Sequence, residues 1–416
     1  MPTRGKKQYD LVKKLSFVRF GGTDAEEKAA SIITAEIFQA GGRCELVPFS
    51  IPAYEYSDCQ VLVSHPYAKV IPSIPYGLSG NIDGEFDLYY ARRGVKEDYV
   101  GIDSLEGKVV LLDKLSFDAY KILTEKNASA FMVICNKWYE DEADSDLLPR
   151  AIRSEFLELG KIPGFMIWSR DAMELILRCA TRLRLKLTQC EYEATSHNIL
   201  SVIPGTEIRN ESIVLTAHYD SVPVGTGSWD NATGSANLVY LYKYFLRHPP
   251  RRILRFIWCG SEEQGLLGSR AYIKQNPELV EKEIRMCFNF DMCGTILGSN
   301  NIKITGGDDL KTYVEQFCHE YGWSAELRVG VHSSDSAPFA DKGIPSIGLS
   351  QGTETAVIHT RNDLIDTISA DRLQDMGDFS AAFITRIANS AILPVETGMT
   401  DSMREELDKY FLRNNQ

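Results

Sequence analysis

Ile213-Val214-Leu215-Thr216-Ala217-His218-Tyr219-Asp220 is an apolar run that closes on an imidazole, with a carboxylate two residues later. Its length and β-branched residues predict a buried strand ending at His218. The pattern recurs downstream. Ile253-Leu254-Arg255-Phe256-Ile257-Trp258-Cys259-Gly260 is a second such run, followed by Ser261-Glu262-Glu263-Gln264-Gly265-Leu266, a turn with adjacent carboxylates. Phe288-Asn289-Phe290-Asp291-Met292 closes on Asp291, and Val357-Ile358-His359-Thr360-Arg361-Asn362-Asp363 supplies a second histidine. In Gly227-Ser228-Trp229-Asp230-Asn231-Ala232-Thr233-Gly234 a turn delivers Asp230 just before a helical stretch.

From Asn198 onward strands and helices alternate, with helices expected over 232–247, 266–275, 309–321 and 371–390. Alternation of this kind predicts an α/β fold, a mixed and mostly parallel sheet sandwiched by helices, with sites at the carboxyl ends of the strands. Near the N-terminus, residues 24–40 have a helical pattern with Asp24 as its cap and Gly41-Gly42 as its stop, and Cys44-Glu45-Leu46-Val47-Pro48-Phe49 reads as a strand. Between about Ala53 and Glu193 the text changes to short strands, turns and small helices without a ligand-like cluster. A chain of 416 residues exceeds one ordinary core. Two domains are therefore expected, residues 1–52 with 194–416, and an insertion at 53–193. Within the insertion, a strand at 105–113, a helix at 116–126, a strand at 128–135 and the segment 162–167 before a helix at 170–180 resemble the protease-associated domain, a small α/β module.

Composition narrows the function. Apolar residues make up 44% and charged residues 25%. No apolar run approaches the roughly 18 to 20 residues that span a bilayer. The basic start, Met1 to Asp10, has no apolar stretch behind it and does not read as a secretory signal, so the expected location is cytoplasmic. A net charge of −12 argues against nucleic acid and anionic membranes as partners. The nine cysteines form no CxxC pair and read as reduced residues, several inside apolar runs. Ser221, Ser261 and Ser269 lack Gly-x-Ser-x-Gly surroundings, which speaks against a serine hydrolase. The Gly225-Thr226-Gly227 and Gly306-Gly307 segments open neither a P-loop nor a dinucleotide fingerprint.

What remains is a metal-ligand series: His218, Asp230, Glu263, Asp291 and His359. Zinc accepts imidazole nitrogen and carboxylate oxygen, and one histidine with two carboxylates leaves a position open for water. If Asp230 bridges two ions, the other four ligands divide into two pairs of one histidine and one acid. Two such ions can hold a hydroxide and polarise a carbonyl. Glu262 and Glu263 are neighbours whose side chains must diverge, so one can bind metal while the other acts as general base.

In order and approximate spacing these segments resemble the co-catalytic di-zinc aminopeptidases, a family that includes the glutamate carboxypeptidase II type and the transferrin-receptor ectodomain. The resemblance covers residues 195 to 390 and extends to the N-terminal segment. It implies that His218 and Asp291 hold one zinc, Glu263 and His359 the other, that Asp230 bridges them and that Glu262 is the base. It further implies that Asp220 orients His218, that Asp363 does the same near His359, and that the substrates are peptides. Relatives often carry a tyrosine before the last histidine, where this chain has Ile358, and a Ser-Asp-His loop, where this chain has Ser336 in place of the histidine. His332 or a backbone NH of the same loop is therefore the expected oxyanion donor. His65, His197, His248 and His319 stand in no such context and read as ordinary surface or core residues.

The leading expectation is a zinc-dependent exopeptidase that removes N-terminal residues by a di-zinc-bound hydroxide with Glu262 as general base. Alternatives on the same fold are a carboxypeptidase, with Arg328 or Arg361 receiving the substrate carboxylate, and a glutaminyl cyclase. A non-catalytic binding module is the alternative of another class. Oligomeric state is not legible in the sequence.

Overall fold

The computed structural model describes residues 4–136, 146–352, 357–396 and 398–413, so part of the basic N-terminal stretch lies outside the described residues. The chain divides into two compact units, Met1–Ile51 with Thr195–Gln416, and Pro52–Ala194.

In the first unit the strands are ordered Glu326–Val329, Ser299–Thr305, Ser346–Gly352, Ile284–Phe290, Ile208–His218, Arg252–Cys259 and the Ile199–Ile203 part of the strand Arg182–Ile203. Ile208–His218 runs parallel to both its neighbours, with Leu215 opposite Phe256 on one side and Phe288 on the other. Ile284–Phe290 is in turn parallel to Ser346–Gly352. Four parallel strands therefore present their carboxyl ends along one edge. From Ile208–His218 the chain goes first to one neighbour and later to the other, which opens a crevice at the end of that strand.

Side chains alternate across a strand, and both faces here are covered. Ile213 and Leu215 pack with Ile33, Leu238, Phe245, Met376 and Phe383 from the helices Asp24–Gln39, Thr233–Arg247 and Ala370–Asn389. Val214, Ile257 and Cys287 face Tyr272, Ile273, Val280 and Phe339, from the helices Leu267–Gln275, Pro277–Lys282 and Ser336–Asp341. At about 1.5–3 kcal/mol for each fully buried large apolar side chain, these layers fix the strand ends that carry the candidate ligands.

The helix at Asp24–Gln39 is capped by Thr23 instead of Asp24. Thr23 has the extended backbone a cap needs, φ −114° and ψ 161°, whereas Asp24 is already helical. The strand read at Cys44–Phe49 is longer than expected and runs Glu45–His65. Two further helices, Lys6–Leu15 and Asp401–Tyr410, bury Leu11, Val12 and Leu15 and Met403 and Leu407 respectively. Among the described residues no helix is long and apolar enough to cross a membrane.

The second unit orders its strands as the Arg182–Leu187 part of Arg182–Ile203, then Ile82–Tyr90, Lys108–Leu112, Ala130–Ile134, Gly164–Ile167, Ser73–Gly77 and Arg150–Ala151. Its helix Phe117–Glu125 starts on Ser116, whose Oγ accepts from the Ala119 NH at 3.1 Å. Ser169–Leu177 follows Gly164–Ile167. Its interior is formed by Val109, Leu111, Met132, Phe165, Leu175, Leu183 and Leu185 on one face of the sheet, and Val110, Tyr120, Leu123 and Phe131 on the other.

Candidate active site

The parallel register brings His218, the Ser261–Glu263 turn and Asp291 to the same edge, and the turns at Asp230 and His359 join them. Asp230 sits between the two histidines. Its Oδ1 lies 3.1 Å from His218 Nε2 and its Oδ2 lies 3.1 Å from His359 Nε2. Asp291 Oδ1 approaches His218 Nε2 at 3.5 Å, and Glu263 Oε2 approaches His359 Nε2 at 3.1 Å. Glu262 Oε2 stands 4.0 Å from His218 Nε2. One ligand atom each of His218, Asp230 and Glu263 fall within 4.8 Å of one another.

Two carboxylates hold these groups from behind. Asp220 accepts from the backbone NH of Glu262 at 3.0 Å and of Glu263 at 3.2 Å, and its Oδ1 is 3.3 Å from His218 Nδ1. One buried carboxylate thus holds the turn that carries the paired glutamates and stands beside the imidazole, whose Nδ1 makes no hydrogen bond among the described residues. Asp363 accepts from the NH of Trp229 at 2.7 Å and of Asp230 at 3.0 Å. Its partners are the Asp230 turn, and so the expectation that it orients His359 is corrected. Asn231 ties the same turn to the strand end at Asp291: its Nδ2 donates to the Phe290 carbonyl at 2.9 Å, and its Oδ1 accepts from the Met292 NH at 3.2 Å. Ser261, Leu266, Met292 and His359 all have φ between 51° and 61°, a left-handed backbone that concentrates here around the candidate ligands.

The acids and imidazoles of the cluster act on one another's charge. Burial opposes the charged form of His218, yet Glu262, Asp220, Asp230 and Asp291 push its pKa well above the ordinary value. His359 is likewise raised to about 11 by Asp230 and Glu263 against the pull of burial. Burial works against ionisation of Asp230, but the two imidazoles outweigh it and lower its pKa. Burial raises Glu262 well above the usual carboxylate range, helped by repulsion from Glu263, Asp335 and Asp291. Burial, then repulsion from Asp230, raises Glu263 to about 7.

The donor set fits divalent cations. Glu263 Oε1 and Asp291 Oδ1 are buried with no hydrogen-bond partner among the described residues. Oxygen ligands left unmatched beside imidazoles are what a zinc site requires, and they are costly otherwise. His218, Asp230 and Asp291 can hold one ion, and His359, Asp230 and Glu263 a second.

His332 is placed elsewhere. Its Nε2 lies 3.4 Å from the Arg328 carbonyl oxygen, and the charged groups around it are Lys303, Glu406 and Arg328. The same loop instead brings in Asp335, buried and raised to about 6 by burial, with His218, Ser269, Asp220 and Asp291 as its electrostatic neighbours. Sequence reading passed over Asp335. Its signal in the sequence is its place as the acid of the Ser334-Asp335-Ser336 loop, where attention went to Ser336 and His332 instead.

Residues 198–384 match the sequence pattern described as Peptidase family M28. The chain is 28% identical over 406 residues to aminopeptidase YwaD of Bacillus subtilis (strain 168), spanning 92% of this chain and 85% of that protein. Its fold is similar to an aminopeptidase from Aneurinibacillus sp. strain AM-1, with a TM-score of 0.76 at 22% identity over 96% of this chain and 98% of that one. It is also similar to BSAP, a zinc aminopeptidase from Bacillus subtilis, with a TM-score of 0.74 at 24% identity over 97% and 99% of the two chains.

Proposed function

We propose, from the match of residues 198–384 to peptidase family M28, that the chain is a zinc-dependent aminopeptidase that removes N-terminal residues from peptides. The observation that carries the proposal is the placement of Asp230, one oxygen at 3.1 Å from each histidine, with Asp291 beside His218 and Glu263 beside His359. This arrangement supports two zinc ions sharing Asp230. Zinc bound there would supply Lewis-acid polarisation of the scissile carbonyl and make water acidic near neutral pH.

The chain's own groups do the rest. Glu262 is the proposed general base: it adjoins a ligand, its backbone NH is held by Asp220, and its Oε2 stands 4.0 Å from His218 Nε2, beside the candidate ligands without being one of them. A carboxylate so placed can take a proton from the attacking water and return it to the leaving amine. The similarity to aminopeptidase YwaD over 92% of this chain supports an aminopeptidase over a carboxypeptidase. For the second unit, the order strand Lys108–Leu112, helix Phe117–Glu125, strand Ala130–Ile134 supports a protease-associated-like module.

The test is to load the protein with zinc, incubate it with a mixed peptide library and read which terminus shortens. Progressive N-terminal loss is expected; shortening from the C-terminus or cyclisation of N-terminal glutamine would replace the proposal with one of its alternatives. Glu262→Gln should keep its zinc and lose about 10²–10⁴-fold in kcat, and retained turnover would remove Glu262 from its role.

A further inference from the structure

Arg19 is fully buried, yet it makes no hydrogen bond to a carboxylate among the described contacts. Its Nε donates to the Tyr219 carbonyl at 2.6 Å, its Nη1 to Thr226 at 2.7 Å and its Nη2 to Gly227 at 2.7 Å, with further bonds to Leu15 and Phe17. Its backbone exchanges bonds with Ser221: the Arg19 NH donates to Ser221 Oγ at 3.1 Å, and the Ser221 NH donates to the Arg19 carbonyl at 3.3 Å. These partners lie on the loop after His218 and on the loop before Asp230. Gly227 is held so close that a Cβ there would come within 3.0 Å of the guanidinium.

A few residues on, the same segment reaches the third loop. Gly21 presses on Ser261 so tightly that a Cβ would fall 2.2 Å from Ser261 Oγ, and its carbonyl accepts from Gln264 Nε2 at 3.2 Å. Glu26 follows, accepting from the Ser261 NH at 3.1 Å, Ser196 Oγ at 2.7 Å and the Gly22 NH at 2.7 Å. Ser261 leads directly into Glu262 and Glu263.

We infer that residues 19–26 form a positioning strap: Arg19, Gly21 and Glu26 hold the loops of His218, Asp230 and Glu262–Glu263 at the spacing two zinc ions need, without touching substrate. The inference rests on the di-zinc reading of the site. Its mechanism is geometric. Asp220, Asp363, Asp230 and Glu263 all act on the Arg19 charge, so a role through charge alone would repel incoming cations, and losing it would tighten zinc. A role through bonds predicts the opposite. Lysine preserves the charge but replaces a planar fork by a point donor, which cannot span the Tyr219, Thr226 and Gly227 carbonyls together.

The experiment compares wild type, Arg19→Lys and Gly21→Ala. The second variant pushes the strap off the Glu262–Glu263 loop without removing any polar group. Each is stripped of metal, checked for a cooperative melt, and titrated with zinc against a chromophoric chelator; kcat and KM are then measured with zinc restored. The expected result in a variant that keeps its metal-free fold is an apparent zinc affinity reduced roughly tenfold or more, with kcat falling and KM within about twofold of wild type. Zinc affinity equal to or tighter than wild type would overturn the strap, and so would loss of the metal-free fold in both variants, which would make the segment an ordinary structural element. A wild-type protein that takes up no zinc would remove the di-zinc reading itself, and the strap with it.

Discussion

Asp220→Asn is the sharpest single test of how the site is held. The carboxyl group accepts two backbone NH groups, from Glu262 at 3.0 Å and Glu263 at 3.2 Å, and is itself fully buried. An amide of the same shape has one oxygen. Whichever way it is turned, one NH loses its acceptor and faces an NH₂ group, at a cost of about 1–3 kcal/mol for a buried donor left unpaired. The surviving bond loses its charge assistance, about another 1 kcal/mol. A total of roughly 2–4 kcal/mol is more than a turn will store, so the Glu262–Glu263 tip should shift to relieve it. That shift moves a ligand and the base together, and His218 loses the carboxylate 3.3 Å from its Nδ1. Groups in this position typically contribute about 10–100-fold to metal affinity or activity, which corresponds to about 1.4–2.7 kcal/mol. Denaturant unfolding of the metal-free protein should register the destabilisation, and zinc competition and kcat the misplacement. If Asp220→Asn holds zinc and turns over within about threefold of wild type, the argument that Asp220 positions the paired glutamates fails.

Glu26 gives a prediction for pH. Burial, then repulsion from Asp220, raises its folded pKa from 4.5 to about 7, so the folded state holds this proton more tightly than the unfolded one. Its contribution to stability is fully present below the unfolded value and is lost as pH rises through about 7. Glu26→Gln imitates the protonated form at every pH. Between pH 5 and pH 8 the stability of the metal-free variant should therefore gain on wild type by roughly 2–3 kcal/mol, and a gap that does not change with pH would contradict the assignment. Adding zinc to metal-free protein should raise its melting temperature, by the equivalent of about 2.7 kcal/mol at a hundred times Kd; a melting curve indifferent to zinc and to chelator would argue against a metal site. His332→Ala should leave kcat within about twofold of wild type, because its neighbours are Arg328, Lys303 and Glu406. A hundredfold loss would restore it as a candidate oxyanion donor.

The candidate ligands were legible because each closes an apolar run or stands in a turn beside one, and a parallel sheet brings such ends together. His218 and Asp291 follow directly from the strands Ile208–His218 and Ile284–Phe290. The groups behind them left weaker traces. Arg19 lies 200 residues from Tyr219, and a guanidinium bonded to backbone carbonyls selects no particular side chain in its partners. Glu26 looks in sequence like any acid in the first turn of a helix, and only the fold shows that it faces Ser196 and Ser261. Asp363 misled through proximity. It stands four residues from His359, but its carboxylate turns to the Trp229 and Asp230 NH groups, donors that sequence separation hides. The cap at Thr23 was missed by one position because Asp24 satisfies the composition of a cap without its extended backbone.

The manner in which Arg19 is bonded follows from what the carboxylates must remain free to do. Asp220, Asp230, Glu263 and Asp363 all act on its charge and offset part of what burial takes from it, leaving its pKa lowered to about 10, still protonated at neutral pH. A guanidinium so placed would ordinarily form a bidentate pair with a carboxylate. Such a pair at Asp230 or Glu263 would occupy the oxygens that face His218 and His359. By directing its donors to the Tyr219, Thr226 and Gly227 carbonyls, Arg19 fixes the loops and leaves those oxygens to a metal. Asp220 and Asp363 solve the same problem with the opposite polarity, binding backbone NH groups of Glu262, Glu263 and Asp230 while the ligand carboxylates stay open. The site is therefore held through main chain on both sides, by carbonyls toward Arg19 and by NH groups toward Asp220 and Asp363. Substituting any of the three should disturb where the ligands stand before it changes what they are.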